Sequence, residues 1–160
     1  MEVYEKILLP LDGSELSELA LPEAEKLAAV SNAKICLIRV VHKPVIGLSD
    51  DSLLPQANLI KEADRYLKNI KNRLEDKGFT VESHVWYGPN AAEEILNHVE
   101  FYGTDLIVMA THGRSGLKRL LMGSVAGKVV KNTTNPVVLV RLNPETMDTV
   151  DESRAYATLT

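Results

Sequence analysis

Short apolar runs alternate with longer amphipathic ones along most of the chain. Lys6–Leu11 (KILLPL), Lys34–Val41 (KICLIRVV), Asp105–Ala110 (DLIVMA) and Val137–Leu142 (VVLVRL) are essentially apolar, as strands covered on both faces should be. Thr80–Tyr87 alternates instead, through Val81, Ser83 and Val85, which predicts an edge strand. The runs between them repeat with helical period. Leu16, Leu19, Ala20, Ala24, Leu27 and Ala28 share one face behind Ser14, a good N-cap. Pro22 lies inside that pattern and predicts a kink or a delayed start. Ile60, Ala63, Leu67, Ile70 and Leu74 recur every three or four residues, with Gly78 just beyond. Asn90 and Glu93 resemble a capping pair for a helix ending at Gly103. Ser124–Thr133 is helical with Val125, Ala126, Val129 and Val130 inward, and Asn135-Pro136 ends it. His42–Leu54 reads as a loop, and Thr111–Met122 has no clean period.

This order, β-α-β-α-β-α-β-α-β, predicts the α/β class: a single doubly wound five-stranded parallel sheet with helices on both faces. One domain is expected over 1–142, with a polar, unpatterned tail over 143–160, mobile or packed on a partner. Ligands of such sheets bind at the carboxyl ends of the strands, where strand order reverses. That singles out Asp12-Gly13-Ser14, Val41-His42, Gly88-Pro89-Asn90 and Thr111–Ser124.

Composition narrows the function classes. The net charge of −4, from 18 basic and 22 acidic residues, argues against a general nucleic-acid surface. No apolar run approaches the ~18 residues of a membrane span, and MEVYEKILLPLDG lacks the basic start of a signal peptide. The single cysteine, Cys36, sits in an apolar run; it reads as a buried strand residue in a reducing compartment, the cytoplasm. Four histidines show no metal-ligand spacing, and His42, His84 and His98 have no partner visible in the sequence. Trp86 reads as packed at a strand end.

Two loops carry candidate chemistry. Ala110 to Ser124 holds Gly113, Gly116 and Gly123, three basic side chains (Arg114, Lys118, Arg119), and a helix start. Glycines let backbone amides approach phosphate oxygens, and a helix N-terminus favours an anion. A Gly-rich connection with solvated cations fits that composition equally well. The loop is no Walker motif, since only three residues separate Gly123 from Gly127 and Val129 follows Lys128. It is no hydrolase elbow either, since Leu117 stands where G-x-S-x-G needs glycine. In the other loop, Ser14 caps the helix and is expected to leave Asp12 free for ribose hydroxyls. No aromatic side chain falls in these loops to stack on a flavin.

The segments KILLPLDGSE, DLIVMATHGRSGLKRLLMGSVAGKVV and NPVVLVR together resemble the universal stress protein family, over about residues 5–141. Its ATP-binding members show G-x2-G-x9-G-[S/T]. Gly113, nine residues, Gly123 and Ser124 keep that spacing, and Ala110 replaces the first glycine, adding a methyl group and disfavouring positive φ. The resemblance implies ATP or another adenine nucleotide with Mg²⁺ or Mn²⁺. Asp12 would meet the ribose and the Val40 backbone the adenine edge. Ala110 and Gly113 would line the ribose and α-phosphate, and Gly123, Ser124 and Val125 would hold the outer phosphates. Pro10, Leu11, Met109 and Arg114 complete the implied site. No catalytic residue and no protein metal ligand is expected. The family resemblance further implies a homodimer through Val137–Leu142. The reading is a nucleotide-dependent stress-response switch with an unidentified protein partner. Its alternatives are a nucleotide-free interaction protein or a slow Mg-dependent ATPase.

Overall fold

A computed structural model describes residues 3–42, 53–111 and 122–141. Five strands form one parallel sheet: β1 (Lys6–Pro10), β2 (Lys34–His42), β3 (Val81–Gly88), β4 (Leu106–Ala110) and β5 (Val137–Val140). Their spatial order is β3-β2-β1-β4-β5, so the doubly wound sheet is present and β3 is an edge, as its alternation predicts. The helices are α1 (Glu15–Glu18), α2 (Leu21–Ser31), α3 (Leu53–Glu75), α4 (Ala91–Tyr102) and α5 (Ser124–Asn132).

Alternate strand residues supply two separate cores. Ile7, Leu9, Ile35, Leu37, Leu106 and Val108 face α2 and α3, which bury Ala24, Ala28, Leu67, Ile70 and Leu74 against them. Leu8, Cys36, Ile38, Ile107 and Met109 face α4 and α5, which bury Ala92, Ile95, Val99, Ala126 and Val129. Truncating a fully buried member such as Leu67 to alanine would cost about 2–5 kcal/mol, because the transfer energy and the cavity add. Burial pushes the Cys36 thiol up to about 11, with Glu82 adding to the shift, so Cys36 is an inert core residue.

Local chemistry explains where elements start and stop. Ser14 caps α1 by accepting the Ser17 N–H. The first helix then breaks rather than bending: α2 restarts with Pro22 in its first turn, where a missing N–H costs nothing. Asn90 caps α4 by accepting the Ala92 N–H, and its amide donates to Glu93. Asp105 precedes β4 and ties it to β1 by accepting the Glu5 and Lys6 N–H groups.

Several expectations need correction. The loop assigned to His42–Leu54 is shorter at both ends, since His42 closes β2 and Leu53 opens α3; residues 43–52 lie outside the described residues. Ile60 is 38% exposed. It sits on the first half of α3, whose Leu59 and Glu62 line the cleft at the carboxyl end of the sheet. Val130 is also exposed; Val129 takes the sheet-facing position, and its neighbour is rotated about 100° away. The last strand ends at Val140, and Leu142 and the tail over 143–160 lie outside the described residues. Among the described residues no helix is long and apolar enough to cross a membrane.

The histidines at 84 and 98, unpaired on paper, meet in space. Glu82, His84 and Trp86 alternate on β3, and His84 Nδ1 lies 2.8 Å from His98 Nε2 on α4. Tyr102 stacks on His84 with centroids 4.3 Å apart, and Trp86 meets His98 edge-on. His98 is fully buried, and its Nδ1 has no hydrogen-bond partner. Desolvation first, then the neighbouring His84, pulls His98 down to about 4. Desolvation also lowers His84. A histidine held below its unfolded pKa binds fewer protons in the native state. Its contribution is therefore complete above about pH 6.5 and is lost as pH falls towards 4. We expect stability to fall across that window by up to about 3 kcal/mol from His98. In urea titrations at pH 7 and pH 4.5, His98→Phe should show a smaller decline than the parent. An equal decline in both would place the acid sensitivity elsewhere.

Candidate functional site

The strand order reverses between β1 and β4, and their carboxyl ends open into a cleft of about 630 Å³. β1 leaves the sheet first. Its last ladder bond runs from the Leu11 N–H to the Ile38 carbonyl at 2.9 Å, and the Asp12 N–H turns instead to Ser17 Oγ. On β2, both backbone groups of a residue point to the same neighbour, and successive residues alternate sides. Lys34 and Ile38 bond towards β1, and Ile35 towards β3. Val40 is in phase with Ile38. Its N–H and C=O therefore face the space that β1 has vacated, and among the described residues neither has a backbone partner on that side.

The first wall of the cleft is the turn Asp12-Gly13-Ser14. Asp12 Oδ1 accepts the Ser14 N–H at 2.9 Å and the Ser14 hydroxyl. This is an Asx-type turn, and it corrects the expectation that Asp12 stands free of the cap. Gly13 sits at φ +84°, and a Cβ there would lie 3.1 Å from the Arg39 guanidinium. Both the backbone conformation and the space call for glycine.

The opposite wall is the start of α5. Thr111 N–H donates to Val140 O, and Gly123 N–H donates to Thr111 O at 2.6 Å. Those bonds bring the helix start against the end of β4. Gly123 is the N-cap and offers no side-chain cap, so the first-turn N–H groups carry the helix's positive end uncapped. Ser124 at that end is exposed.

Pro10, Leu11, Asp12, Val40, Met109, Ala110, Gly123, Ser124 and Val125, all singled out from the sequence, line this one cleft. Gly113 and Arg114 lie outside the described residues. Ala110 is in strand β4 with no positive φ, so a glycine is not required there for conformation; only the methyl group distinguishes it. The sequence reading missed Ser17, Arg39, Glu62, Ala91 and Ile95, which also line the cleft. Period-2 alternation on β2 could have found Arg39, since it interrupts an otherwise apolar face. His42, whose neighbourhood was singled out, is exposed at the rim. Among the described residues no three His, Cys, Asp or Glu side chains gather as a metal site.

A model of the universal stress protein family matches residues 3–141. The chain belongs to that family. Universal stress protein MJ0577 of Methanocaldococcus jannaschii is 34% identical over 157 residues, covering 87% of this chain and 96% of that protein. The MJ0577 structure superposes with a TM-score of 0.80 over 88% of this chain and 98% of its own. Two more distant members share the fold. One is a universal stress protein in complex with cAMP, at 22% identity and TM-score 0.59, covering 88% of this chain and 98% of its own. The other is an Arabidopsis thaliana family member with AMP bound, at 19% identity and TM-score 0.65, covering 89% of this chain and 94% of its own.

Proposed function

We propose that this universal stress protein binds an adenine nucleotide in the β1/β4 cleft and acts as a nucleotide-dependent switch rather than as an efficient catalyst. The observation that carries the reading is the turned-out backbone of Val40. An adjacent N–H and C=O in a groove match the acceptor and donor on one edge of adenine. The ribose then falls against Asp12, and the phosphates run towards the uncapped start of α5 at Gly123, Ser124 and Val125, lined on the way by Ala110. Family members with AMP bound and in complex with cAMP support an adenine ligand for this chain.

Little argues for rapid hydrolysis. Asp12 is committed to Ser14, Glu62 and His42 are exposed, and no other described lining side chain is a candidate base for water. A triphosphate adds more negative charge than Arg39, the one fixed cation among the described lining residues, can offset. Mg²⁺ or Mn²⁺ would be held chiefly by the phosphate oxygens.

The apolar strand β5 ends the sheet with all four residues only partly buried. Edge strands of that kind pair with their copies, so the protein should be a homodimer joined through this strand. Light scattering at micromolar concentration should return twice the chain mass, and a monomeric mass would remove this part of the proposal.

Calorimetric titration with ATP and Mg²⁺ tests the site. Asp12→Asn keeps an acceptor for the Ser14 turn and removes the charge, and should weaken binding about tenfold. Gly123→Val should abolish binding by filling the phosphate's place, and Ala110→Gly should bind equally or better. Excess chelator should weaken ATP binding. Parent-like affinity in both Asp12→Asn and Gly123→Val would mean that the site is elsewhere. Binding by Ala110→Gly but not by the parent would mark a nucleotide-free interaction protein.

A further inference from the structure

Arg39 is not accounted for by a nucleotide whose base meets Val40 and whose phosphates meet α5. It lines the cleft from the middle of β2. Its side chain emerges on the α3 face, opposite to that of Val40. The guanidinium Cζ stands 5.1 Å from the centroid of the Tyr66 ring. The Tyr66 hydroxyl donates to Glu18 at 2.9 Å, and burial, reinforced by Glu18, holds the phenol neutral well above its ordinary range. A neutral aromatic face fixes the plane of a guanidinium and leaves its N–H edges available. One face of the group packs over Gly13, since a Cβ there would lie 3.1–3.2 Å from Cζ, Nη1 and Nη2 alike. Arg39 forms no salt bridge with a described residue. The acids among the described lining residues are Asp12, engaged by Ser14, and Glu62, exposed on α3.

We infer that Arg39 makes the cleft selective for adenine nucleotides carrying a phosphate monoester on a ribose ring hydroxyl. This rests on the nucleotide reading above. A ribose seated against Asp12 sends its 5′ chain towards α5. Its 2′ and 3′ hydroxyls leave from the other edge of the sugar, towards the Gly13 turn and the cation beside it. A guanidinium held in one plane offers two parallel N–H groups to such a phosphate. The 5′ phosphates cannot occupy that position while also meeting Gly123 and Ser124, because Arg39 and α5 stand on opposite faces of the sheet.

The test is calorimetric titration of the full chain with adenosine 5′-monophosphate, adenosine 2′,5′-bisphosphate and adenosine 3′,5′-bisphosphate at one ionic strength. At least one bisphosphate should bind more than about fivefold tighter than the monophosphate, and the better of the two identifies the hydroxyl. In Arg39→Met, checked for folding by circular dichroism, that ratio should fall to about twofold or less, the residue of general charge attraction. Arg39→Gln gives the same reading should the methionine variant not fold. A parent ratio below about fivefold for both bisphosphates, or one that survives loss of the guanidinium, overturns the inference; Arg39 would then be a stacking residue only. Such a result leaves the nucleotide site standing, provided that the monophosphate binds. If neither AMP nor ATP binds the parent, the nucleotide reading and the inference fall together.

Discussion

The departure of β1 from the sheet after Leu11 is the constraint on which the rest of the site depends. While β1 stays in register, from Lys6↔Lys34 to Pro10↔Ile38, its backbone consumes the β2 groups that point towards it. After one more bond, from Leu11, the chain turns into the Asp12-Gly13-Ser14 corner, and the next β2 residue in phase, Val40, has no backbone partner on that side among the described residues. Val40 is half-buried in the cleft wall, so its peptide groups on that side are open to a ligand. The same departure makes room between β1 and β4, and there the tie from Gly123 to Thr111 delivers the start of α5. The proposed base, sugar and phosphate contacts would thus be three consequences of one strand ending before its neighbour.

Much of this was legible in the sequence because a doubly wound sheet makes strand ends visible as the ends of apolar runs. Asp12 follows KILLPL, Ala110 ends DLIVMA, and Ser124 opens an amphipathic run; topology then gathers them at one end. The conformational objection to Ala110 could not be judged from the sequence, because it turned on a φ value. The residue proves to end an ordinary strand. Nor could the sequence separate Ile60 from its helical stripe. Period alone places it with Ala63 and Leu67, and only the structure shows that those two are buried while Ile60 is exposed.

Features that depend on register between distant segments were not legible. His84 and His98 are fourteen positions apart on different elements. Their contact requires the β3 alternation and the α4 rotation to coincide, and neither histidine signals this alone. Arg39 is similar: its meaning comes from Tyr66, far along α3, and from a glycine in another loop. Pro22 lies between these cases: a kink or a delayed start was expected, and the structure shows the delayed start. Restarting the helix with proline in the first turn avoids the lost hydrogen bond that bending would have cost.

The central claim is that the unpartnered Val40 backbone reads the base. The most direct measurement is the amide spectrum of isotope-labelled protein during titration with adenosine, which carries no phosphate and so isolates base and sugar contacts. The Val40 N–H, with those of the Asp12–Ser14 turn, should shift most and gain protection from hydrogen exchange. If adenosine binds while the Val40 amide neither shifts nor gains protection, the base is held elsewhere and this assignment of the cleft is wrong.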